Sequence, residues 1–328
     1  MKEALYYEKL GDQKVRCLLC PQSCRIAEGE TGFCRGRRNR EGTLYAETYG
    51  KCTSIAMDPI EKKPLYHFHP GAHILSLGTM GCNFACDFCQ NWQISQASPL
   101  LQDITSADAV ESARRDGSIG IAYTYNEPMI WYEFVLDTAK LVRENGMKNV
   151  LVTNGFINPE PLEELLPHID AMNIDIKSIN PEFYKERCKG KLGPVQATAK
   201  RAVESCHIEI TNLIIPGHND SKLELGMLAD WILNNLGEDT PVHLSAYFPR
   251  HKLQAQPTNG ETLTQAYEIF AGRLSYVYVG NMLLSVGAET NCRQCGATLI
   301  ARRGYQIDIR NLDDGKCGVC AAENNIVT

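Results

Sequence analysis

Three cysteines in one short loop, Cys82, Cys86 and Cys89, constrain this chain more than any other feature of its sequence. Their spacing lets a loop wrap around a cubane iron–sulfur cluster and ligate three of its four irons. The fourth iron then lacks a protein ligand, which is the arrangement that S-adenosylmethionine (SAM) needs in order to chelate the cluster. An electron from such a cluster can cleave the sulfonium and release a 5′-deoxyadenosyl radical. The alternatives are a three-thiolate zinc site and buried thiols that only pack.

The pattern around this loop predicts an α/β fold. The run Ile74–Leu77 leads into the cysteines, so the loop lies at the carboxyl end of a strand, where parallel α/β folds carry their chemistry. Apolar periodicity predicts helices over Met129–Asn145 and Ser221–Leu236, the second capped by Ser221 or Asp220. Further β-rich runs are Ile119–Tyr125, Val150–Thr153, Met172–Ile176, Ile208–Ile215, Val242–Tyr247 and Tyr276–Val279. Strands that alternate with helices predict a parallel sheet, here a partial (β/α)6 TIM-like barrel.

The ends of these predicted strands resemble those of radical SAM enzymes of the pyruvate formate-lyase activating-enzyme type. Tyr125-Asn126-Glu127-Pro128 stands where that superfamily often has Gly-Gly-Glu-Pro. The resemblance implies that Tyr125, Asn126 and Glu127 bind the cofactor, with Glu127 accepting a hydrogen bond from its ammonium group. Thr153-Asn154-Gly155 and Asp175-Ile176-Lys177 resemble segments that approach the carboxylate end of the cofactor. This implies cofactor-binding roles for Thr153, Asn154, Asp175 and Lys177.

The same resemblance includes the turn Ile215–Asp220 and has two departures. Val152 stands where the activases have an aspartate, and Phe248 stands where they have a histidine near the cofactor. The activity is therefore not carried over with the fold.

Two further cysteine groups flank the predicted barrel. Cys17, Cys20, Cys24 and Cys34 precede it, and Cys292, Cys295, Cys317 and Cys320 follow it. Together with the segments Asp58–Phe68 and Tyr123–Pro128, these groups resemble the radical enzyme of the AmmeMemoRadiSam system over nearly the whole chain. That resemblance implies companion proteins from the two families for which the system is named. It does not supply a substrate.

The chain has fourteen cysteines and no apparent export signal, which argues for metal sites in a reducing cytoplasm rather than for disulfides. The two C-terminal Cys-x-x-Cys pairs flank a hairpin-like segment, Thr298–Ile309, and suit a structural zinc ion ahead of a rubredoxin-like iron or an auxiliary cluster. The N-terminal group is less regular. Zinc is favoured there over an iron–sulfur cluster. Cys52, Cys188 and Cys206 remain unassigned.

Composition and length indicate the domain organisation and limit the classes of function that remain. The 328 residues suggest an N-terminal cysteine-rich segment (1–72), a radical SAM barrel (73–285) and a zinc-ribbon-like segment (286–328). A net charge of −6 gives no basic footprint for nucleic acid or an anionic membrane. The one basic run, Arg35–Arg40, is predicted to be a solvated loop. We find no signal core or apolar run of about twenty residues, which predicts a cytoplasmic protein.

These features predict a radical SAM enzyme that acts on a small molecule or metabolite and takes electrons from a donor such as flavodoxin or ferredoxin. We expect the substrate near Tyr125, Ile215–Asp220 and Tyr247, with both flanking segments covering the carboxyl end of the barrel. The alternative is a glycyl-radical activase that acts on a partner protein. A non-enzymatic metal-binding adaptor would leave Glu127, the Asp175–Lys177 pair and the open cysteine loop unexplained.

Overall fold

A central eight-stranded sheet organises the computed structural model, which describes residues 1–328. Its strands are β1 (Ser54–Pro59), β2 (His73–Gly78), β3 (Gly120–Tyr123), β4 (Lys148–Thr153), β5 (Ala171–Asp175), β6 (His207–Ile214), β7 (Val242–Ala246) and β8 (Val277–Gly280). They lie side by side in chain order. Strands β2 to β8 are parallel, and β1 pairs antiparallel with β2 at one edge. All carboxyl ends of the parallel strands therefore meet at one side of the sheet.

Helices connect the parallel strands. The longer ones are α1 (Ser106–Arg115), α2 (Tyr132–Glu144), α3 (Pro159–Leu165), α4 (Leu192–Ala202), α5 (Lys222–Leu236) and α6 (Gly260–Ala271). Short helical turns occupy Ile60–Lys62, Trp92–Ser95, Pro128–Trp131, Leu166–His168, Pro181–Phe183 and Tyr184–Cys188. Ser221 caps α5, as predicted, because its side chain accepts a hydrogen bond from the backbone of Glu224. No helix combines the length and apolar character that crossing a membrane requires.

The predicted β-rich runs coincide with β2 to β8, and the differences are confined to the strand ends. The run predicted to end at Tyr125 ends instead at Tyr123, because Tyr125 has a φ of 71°, in the left-handed region that a strand excludes. The helix predicted from Met129 begins with the tighter turn Pro128–Trp131 and becomes α-helical at Tyr132.

The N-terminal segment packs on the same core as the sheet. Its short strands are Lys2–Glu3, Tyr7–Lys9, Val15–Cys17, Arg25–Ile26, Arg37–Arg40, Thr43–Ala46 and Lys51–Cys52, the last paired with Gln102–Asp103. Val15 and Leu44 are fully buried and belong to the apolar cluster that the sheet and helices form. Burial of these side chains contributes to the stability of both regions at once.

The predicted solvated loop Arg35–Arg40 is wrong. Arg37–Arg40 is a strand, and the side chain of Arg37 is 1% exposed and paired with Glu133 of α2. The guanidinium of Arg35 donates to the carbonyls of Ser95 and Ala97 at 2.8 and 2.9 Å. Both arginines are held by distant partners that a run of basic residues does not reveal.

The C-terminal segment lies at the amino ends of the parallel strands. Its strands are Thr290–Asn291, Thr298–Arg303, Gln306–Ile309, Leu312–Asp313 and Lys316–Cys317. Asn325 donates to the carbonyl of Asp239, three residues before β7, at 2.8 Å, and Arg302 donates to the carbonyl of Tyr66 at 2.8 Å. The expectation that this segment covers the carboxyl end was therefore wrong, because these contacts hold it at the opposite end.

The segment between β1 and β2 connects the two edges of the sheet. The chain leaves the edge strand β1 at Pro59. Seven residues later, the ring of Tyr66 packs 4.7 Å from both His243 of β7 and Tyr278 of β8. One short segment thus reaches from the first edge of the sheet to the last two strands.

Candidate active site

The predicted cluster loop follows β2 at the carboxyl end of the sheet. The Asn126 side chain holds its beginning: its oxygen accepts from the Thr79 backbone at 3.0 Å, and its nitrogen donates to the Gly81 carbonyl at 2.9 Å. Gly81 has a φ of 92°, and an added Cβ would lie 2.2 Å from the carbonyl oxygen of Cys34. Only glycine fits this turn. The side chain of Asn126, which was predicted to bind the cofactor, thus forms hydrogen bonds that shape the loop.

Two of the three loop cysteines, Cys82 and Cys89, have polar partners that suit thiolates. The Cys82 sulfur accepts from the Phe84 backbone at 3.3 Å and from the Asn154 amide at 3.7 Å. The Cys89 sulfur lies 3.1 Å from the Ser95 hydroxyl. The three sulfurs do not all lie within 4.8 Å of one another. This spacing is wider than a single tetrahedral ion requires, and it fits a cluster in which each thiolate binds a different iron.

Glu127 is a buried carboxylate without a cationic partner. Its side chain accepts from the Thr153 hydroxyl at 2.7 Å, the Asn154 backbone at 2.8 Å and the Met129 backbone at 3.0 Å. Burial raises the pKa of Glu127 to about 7, although these hydrogen bonds act in the opposite direction. A carboxylate held by neutral donors alone is suited to receive an ammonium group.

Asp175 and Lys177 form an ion pair at the carboxyl end of β5. The Lys177 nitrogen lies 3.2 Å from an Asp175 oxygen, and 15% of the lysine side chain is exposed. Burial alone would lower the pKa of Lys177, but Asp175, Cys86 and Cys188 hold it well above its ordinary value. The lysine is therefore a cation beside the cysteine loop.

Tyr125 does not join this network. Its hydroxyl donates to the carboxylate of Asp58 on β1, and the Lys63 ammonium lies 4.6 Å from the centre of its ring. Lys63 in turn lies 2.6 Å from Asp58. Tyr125 thus belongs to a separate buried group, although it is only two residues from Glu127.

Sequence reasoning missed Asn83 and the position of Cys188. The Asn83 oxygen accepts from the Asn154 amide at 2.9 Å, and its nitrogen donates to the Phe156 carbonyl at 2.7 Å. The carbonyl of Cys188 accepts from the Ala85 backbone at 2.9 Å. Asn83 could have been found from the sequence, because it directly follows Cys82 in the motif. No local sequence pattern places Cys188 against the loop.

Two segments border the cysteine loop at the carboxyl end of the sheet. The backbone of Leu253 donates to the Asp87 carbonyl at 2.8 Å, and the His251 ring stacks on Trp92 at 5.2 Å. In the predicted turn Ile215–Asp220, Asn219 donates to the Lys177 carbonyl at 2.7 Å. The hydroxyl of Tyr247 donates to the Leu253 carbonyl at 2.8 Å. These contacts bring the expected substrate-side residues to the end of the sheet that carries the cysteine loop.

The two terminal cysteine groups differ in geometry. In the C-terminal group, Cys292 and Cys320 are 3.6 Å apart, Cys295 and Cys317 are 3.7 Å apart, and all four sulfurs lie within 4.8 Å of one another. A tetrahedron with metal–sulfur bonds of about 2.3 Å has edges of about 3.8 Å, so this group could hold one ion. The N-terminal group (Cys17, Cys20, Cys24 and Cys34) instead lines a small pocket beside the cluster loop.

Comparisons with known proteins agree with this geometry. A model of the radical SAM superfamily matches residues 77–227. An uncharacterized protein of Methanocaldococcus jannaschii is 47% identical over 335 residues, which cover 100% of both chains. The pyruvate formate-lyase-activating enzyme of Clostridium pasteurianum is 29% identical over 178 residues, covering 51% of this chain and 72% of that protein.

Among solved structures, a radical SAM methyltransferase from Sphaerobacter thermophilus has a similar fold. Its TM-score is 0.52 at 16% identity, over 70% of this chain and 71% of that chain. The residues that the superfamily model matches, 77–227, include the cysteine loop and the strand ends that carry Glu127 and Lys177. The chain therefore belongs to the radical SAM superfamily, and it is an enzyme.

Proposed function

We propose that Cys82, Cys86 and Cys89 ligate a [4Fe–4S] cluster whose open iron binds SAM. The single observation that carries this proposal is the cysteine loop itself, at the carboxyl end of β2 and with polar partners at the sulfurs of Cys82 and Cys89. A cluster bound there supplies the electron that cleaves the sulfonium of SAM. The chain's own residues hold the loop and orient the cofactor.

Glu127 and Lys177 bind the amino acid end of SAM in this proposal. The Glu127 carboxylate accepts hydrogen bonds from the ammonium group, which supplies the positive charge that its neutral donors do not. Lys177 faces the carboxylate, with Asp175 fixing its position at 3.2 Å. Thr153 and Asn154 act by orienting Glu127, and Asn126 acts by shaping the loop.

We also propose that the sheet curves into a partial barrel, with units at residues 1–72, 73–285 and 286–328. Support comes from the segment that leaves β1 and packs Tyr66 against His243 and Tyr278 on the last two strands. A flat sheet would keep these edges far apart, because neighbouring strands are spaced by about 4.8 Å. Strand β1, from the N-terminal unit, adds the antiparallel edge.

The substrate in this proposal is a small molecule that approaches the carboxyl end of the sheet. Two regions already lie against the cluster loop there: the N-terminal segment, which contacts Gly81, and the segment that contains Leu253. Segments that cover the loop in this way suit an enclosed pocket for a small molecule. The terminal cysteine groups resemble those of the AmmeMemoRadiSam enzymes, and the proposal includes companion proteins of that system and a flavodoxin or ferredoxin as electron donor.

A glycyl-radical activase is the second candidate. The observation that favours it is the similarity to the Clostridium pasteurianum activating enzyme, which spans 72% of that protein. Such an enzyme would need room for a peptide backbone beside the loop, so the segment around Leu253 would have to move away from Asp87.

The C-terminal cysteines bind structural zinc in this proposal. Their sulfur separations of 3.6 and 3.7 Å match the edges of a tetrahedral zinc site. The small apolar cluster around them includes Leu299, Ile300 and Ile326, so bound metal would supply much of the folding free energy of this segment. Replacement of Cys320 by serine should release zinc and make the chain protease-sensitive after about residue 285, with the iron content unchanged.

Replacing Cys82, Cys86 and Cys89 together by alanine tests the central proposal. The anaerobically reconstituted variant should lose about four irons and four sulfides per chain and all reductive cleavage of SAM. A Cys206→Ala variant is the matched control, since Cys206 lies outside the three cysteine groups, and it should retain both. Equal iron content and equal cleavage in the triple variant would show that the assignment is wrong.

A mixing experiment separates the two substrate classes. The reduced enzyme is incubated with SAM and a candidate glycyl-radical protein, and the frozen sample is examined by electron paramagnetic resonance. A small-molecule enzyme should give no doublet-split glycyl signal. A stable signal stoichiometric with 5′-deoxyadenosine would establish the activase function instead.

A further inference from the structure

The N-terminal cysteines surround one pocket in the interior of the protein. Cys17, Cys20 and Cys34 are 7%, 8% and 8% exposed, and Cys24 is partly buried. All four side chains line the same pocket, together with Ile26 and both apolar and polar neighbours. Four thiols that converge on a protected space form a ligand set, and no other ionisable side chain except Arg37 lines that space.

The spacing of these four thiols differs from that of the C-terminal group. The C-terminal sulfurs all lie within 4.8 Å of one another, whereas no three of the N-terminal sulfurs do. One zinc ion with bonds of about 2.3 Å requires every pair of sulfurs to be about 3.8 Å apart. A four-iron cluster requires wider spacing, because each thiolate binds a different corner of the cubane.

The geometry points to a second [4Fe–4S] cluster, ligated by Cys17, Cys20, Cys24 and Cys34. This reverses the preference for zinc that the cysteine spacing indicated at this site. The inference goes beyond the proposed SAM chemistry, because none of its four ligands belongs to the radical loop.

Polar groups around the pocket suit the negative charge of bound thiolates. The Arg37 guanidinium lies 3.6 Å from the Cys17 sulfur, and Arg37 is 1% exposed. The Phe33 backbone donates to the Cys24 sulfur at 3.4 Å. Hydrogen bonds to sulfur and burial are among the factors that set the potential of an iron–sulfur cluster. The buried pairing of Arg37 with Glu133 fixes the guanidinium in this position.

The pocket adjoins the radical loop directly. Asn83, which follows Cys82, lines the pocket. Gly81 lies against the carbonyl of Cys34, where an added Cβ would be only 2.2 Å from the oxygen. The Gln22 amide donates to the Asn83 carbonyl at 2.9 Å and to the Lys189 carbonyl at 2.8 Å. The second cluster would therefore be packed against the loop that carries the first.

The test is the metal content of the Cys82→Ala, Cys86→Ala, Cys89→Ala variant, which retains all four N-terminal cysteines. After anaerobic reconstitution with iron-57 and sulfide, we expect about four irons and four sulfides per chain, with a Mössbauer spectrum of a [4Fe–4S] cluster. Zinc should amount to about one per chain, from the C-terminal group. About two zincs and no iron, iron without sulfide, or an empty N-terminal site would each overturn the inference.

A second variant guards against misfolding of the first. With the radical loop intact, Cys17→Ser combined with Cys34→Ser should lower the iron content from about eight to about four per chain. The Cys206→Ala control should keep about eight. A wild-type content of about four irons, all lost in the triple alanine variant, would overturn the second cluster and leave the proposed SAM chemistry intact.

Discussion

Two buried glutamates at opposite ends of the sheet have opposite electrostatic surroundings. Glu127, at the carboxyl end, is held by neutral donors, and burial raises its pKa to about 7. Glu209, near the amino end of β6, accepts from the His243 ring at 2.6 Å and the His207 ring at 3.1 Å. Burial alone would raise the pKa of Glu209 as well, but these histidines hold it well below its ordinary value. Glu209 is thus held in its ionised form by side chains of the same protein, whereas Glu127 has no such partner.

The partners of Glu209 explain what its site does. The backbones of His67 and Tyr66 donate to its two oxygens at 2.7 and 3.0 Å. The Arg302 guanidinium, from the C-terminal segment, lies 4.4 Å from the centre of the Tyr66 ring. Glu209 thus fixes the segment on which the C-terminal unit rests. Its role is structural, whereas the lack of a cationic partner at Glu127 supports the binding role proposed for that carboxylate.

The largest effect should follow from Glu209→Gln. The amide retains one acceptor oxygen and presents an NH2 group to donors that need an acceptor. The free energy of unfolding, measured by urea denaturation of the reconstituted protein, should fall by about 3–5 kcal/mol. Glu127→Gln should cost less than about 2 kcal/mol, because removal of an uncompensated buried charge offsets the lost hydrogen bond. Equal losses in the two variants would contradict the comparison.

For the affinity of the cofactor, the order of the two glutamate variants should be reversed, with the larger effect in Glu127→Gln. Glu127→Gln removes the anionic partner of the SAM ammonium, and Lys177→Met removes the cation beside its carboxylate. Each should weaken SAM binding by about 2–5 kcal/mol, measured by calorimetry at matched cluster content. Glu209→Gln, at the other end of the sheet, should leave the affinity of the folded protein unchanged. The roles assigned here would be wrong if neither Glu127→Gln nor Lys177→Met altered the dissociation constant.

Sequence patterns predicted one end of the molecule better than the other. The runs that became β2 to β8 are buried on both faces, so their apolar character was visible locally. Glu127 and the cysteine loop could be found because they follow strand ends. The Glu209 site could not, because its donors come from residues 66, 67, 207 and 243, which only the folded sheet brings together. Arg37 escaped prediction for the same reason, since its partner Glu133 is far along the chain.

The contributions of Glu127 and Glu209 to the free energy of unfolding should also respond to pH in opposite directions. The folded state raises the pKa of Glu127 from 4.5 to about 7, so the stability this group contributes is complete below pH 4.5 and is lost as the pH rises to about 7. The full change is about 3 kcal/mol, since one pKa unit corresponds to about 1.4 kcal/mol. The lowered pKa of Glu209 gives stability that is present above pH 4.5 and lost as the pH falls below it.

Unfolding of the SAM-free protein across this range measures both trends. Glu127→Gln should remove the loss between pH 4.5 and 7, and Glu209→Gln should remove the loss on the acid side. A wild-type stability that is flat between pH 5 and 7 would indicate that Glu127 already has a counter-charge, and the contrast between the two sites would fail.

The smallest effect tests whether the neutral donors position Glu127 for the cofactor. Thr153→Val keeps the shape of the side chain and removes the hydroxyl that donates to Glu127 at 2.7 Å. Loss of one hydrogen bond to the carboxylate should weaken SAM binding by about 1 kcal/mol, roughly fivefold. Because that bond favours the ionised form, its loss should also raise the pKa of Glu127 and move the midpoint of the affinity–pH profile upward. A purely structural role for Thr153 would lower stability and leave that midpoint where it is in the wild type, so the profile decides between the two roles.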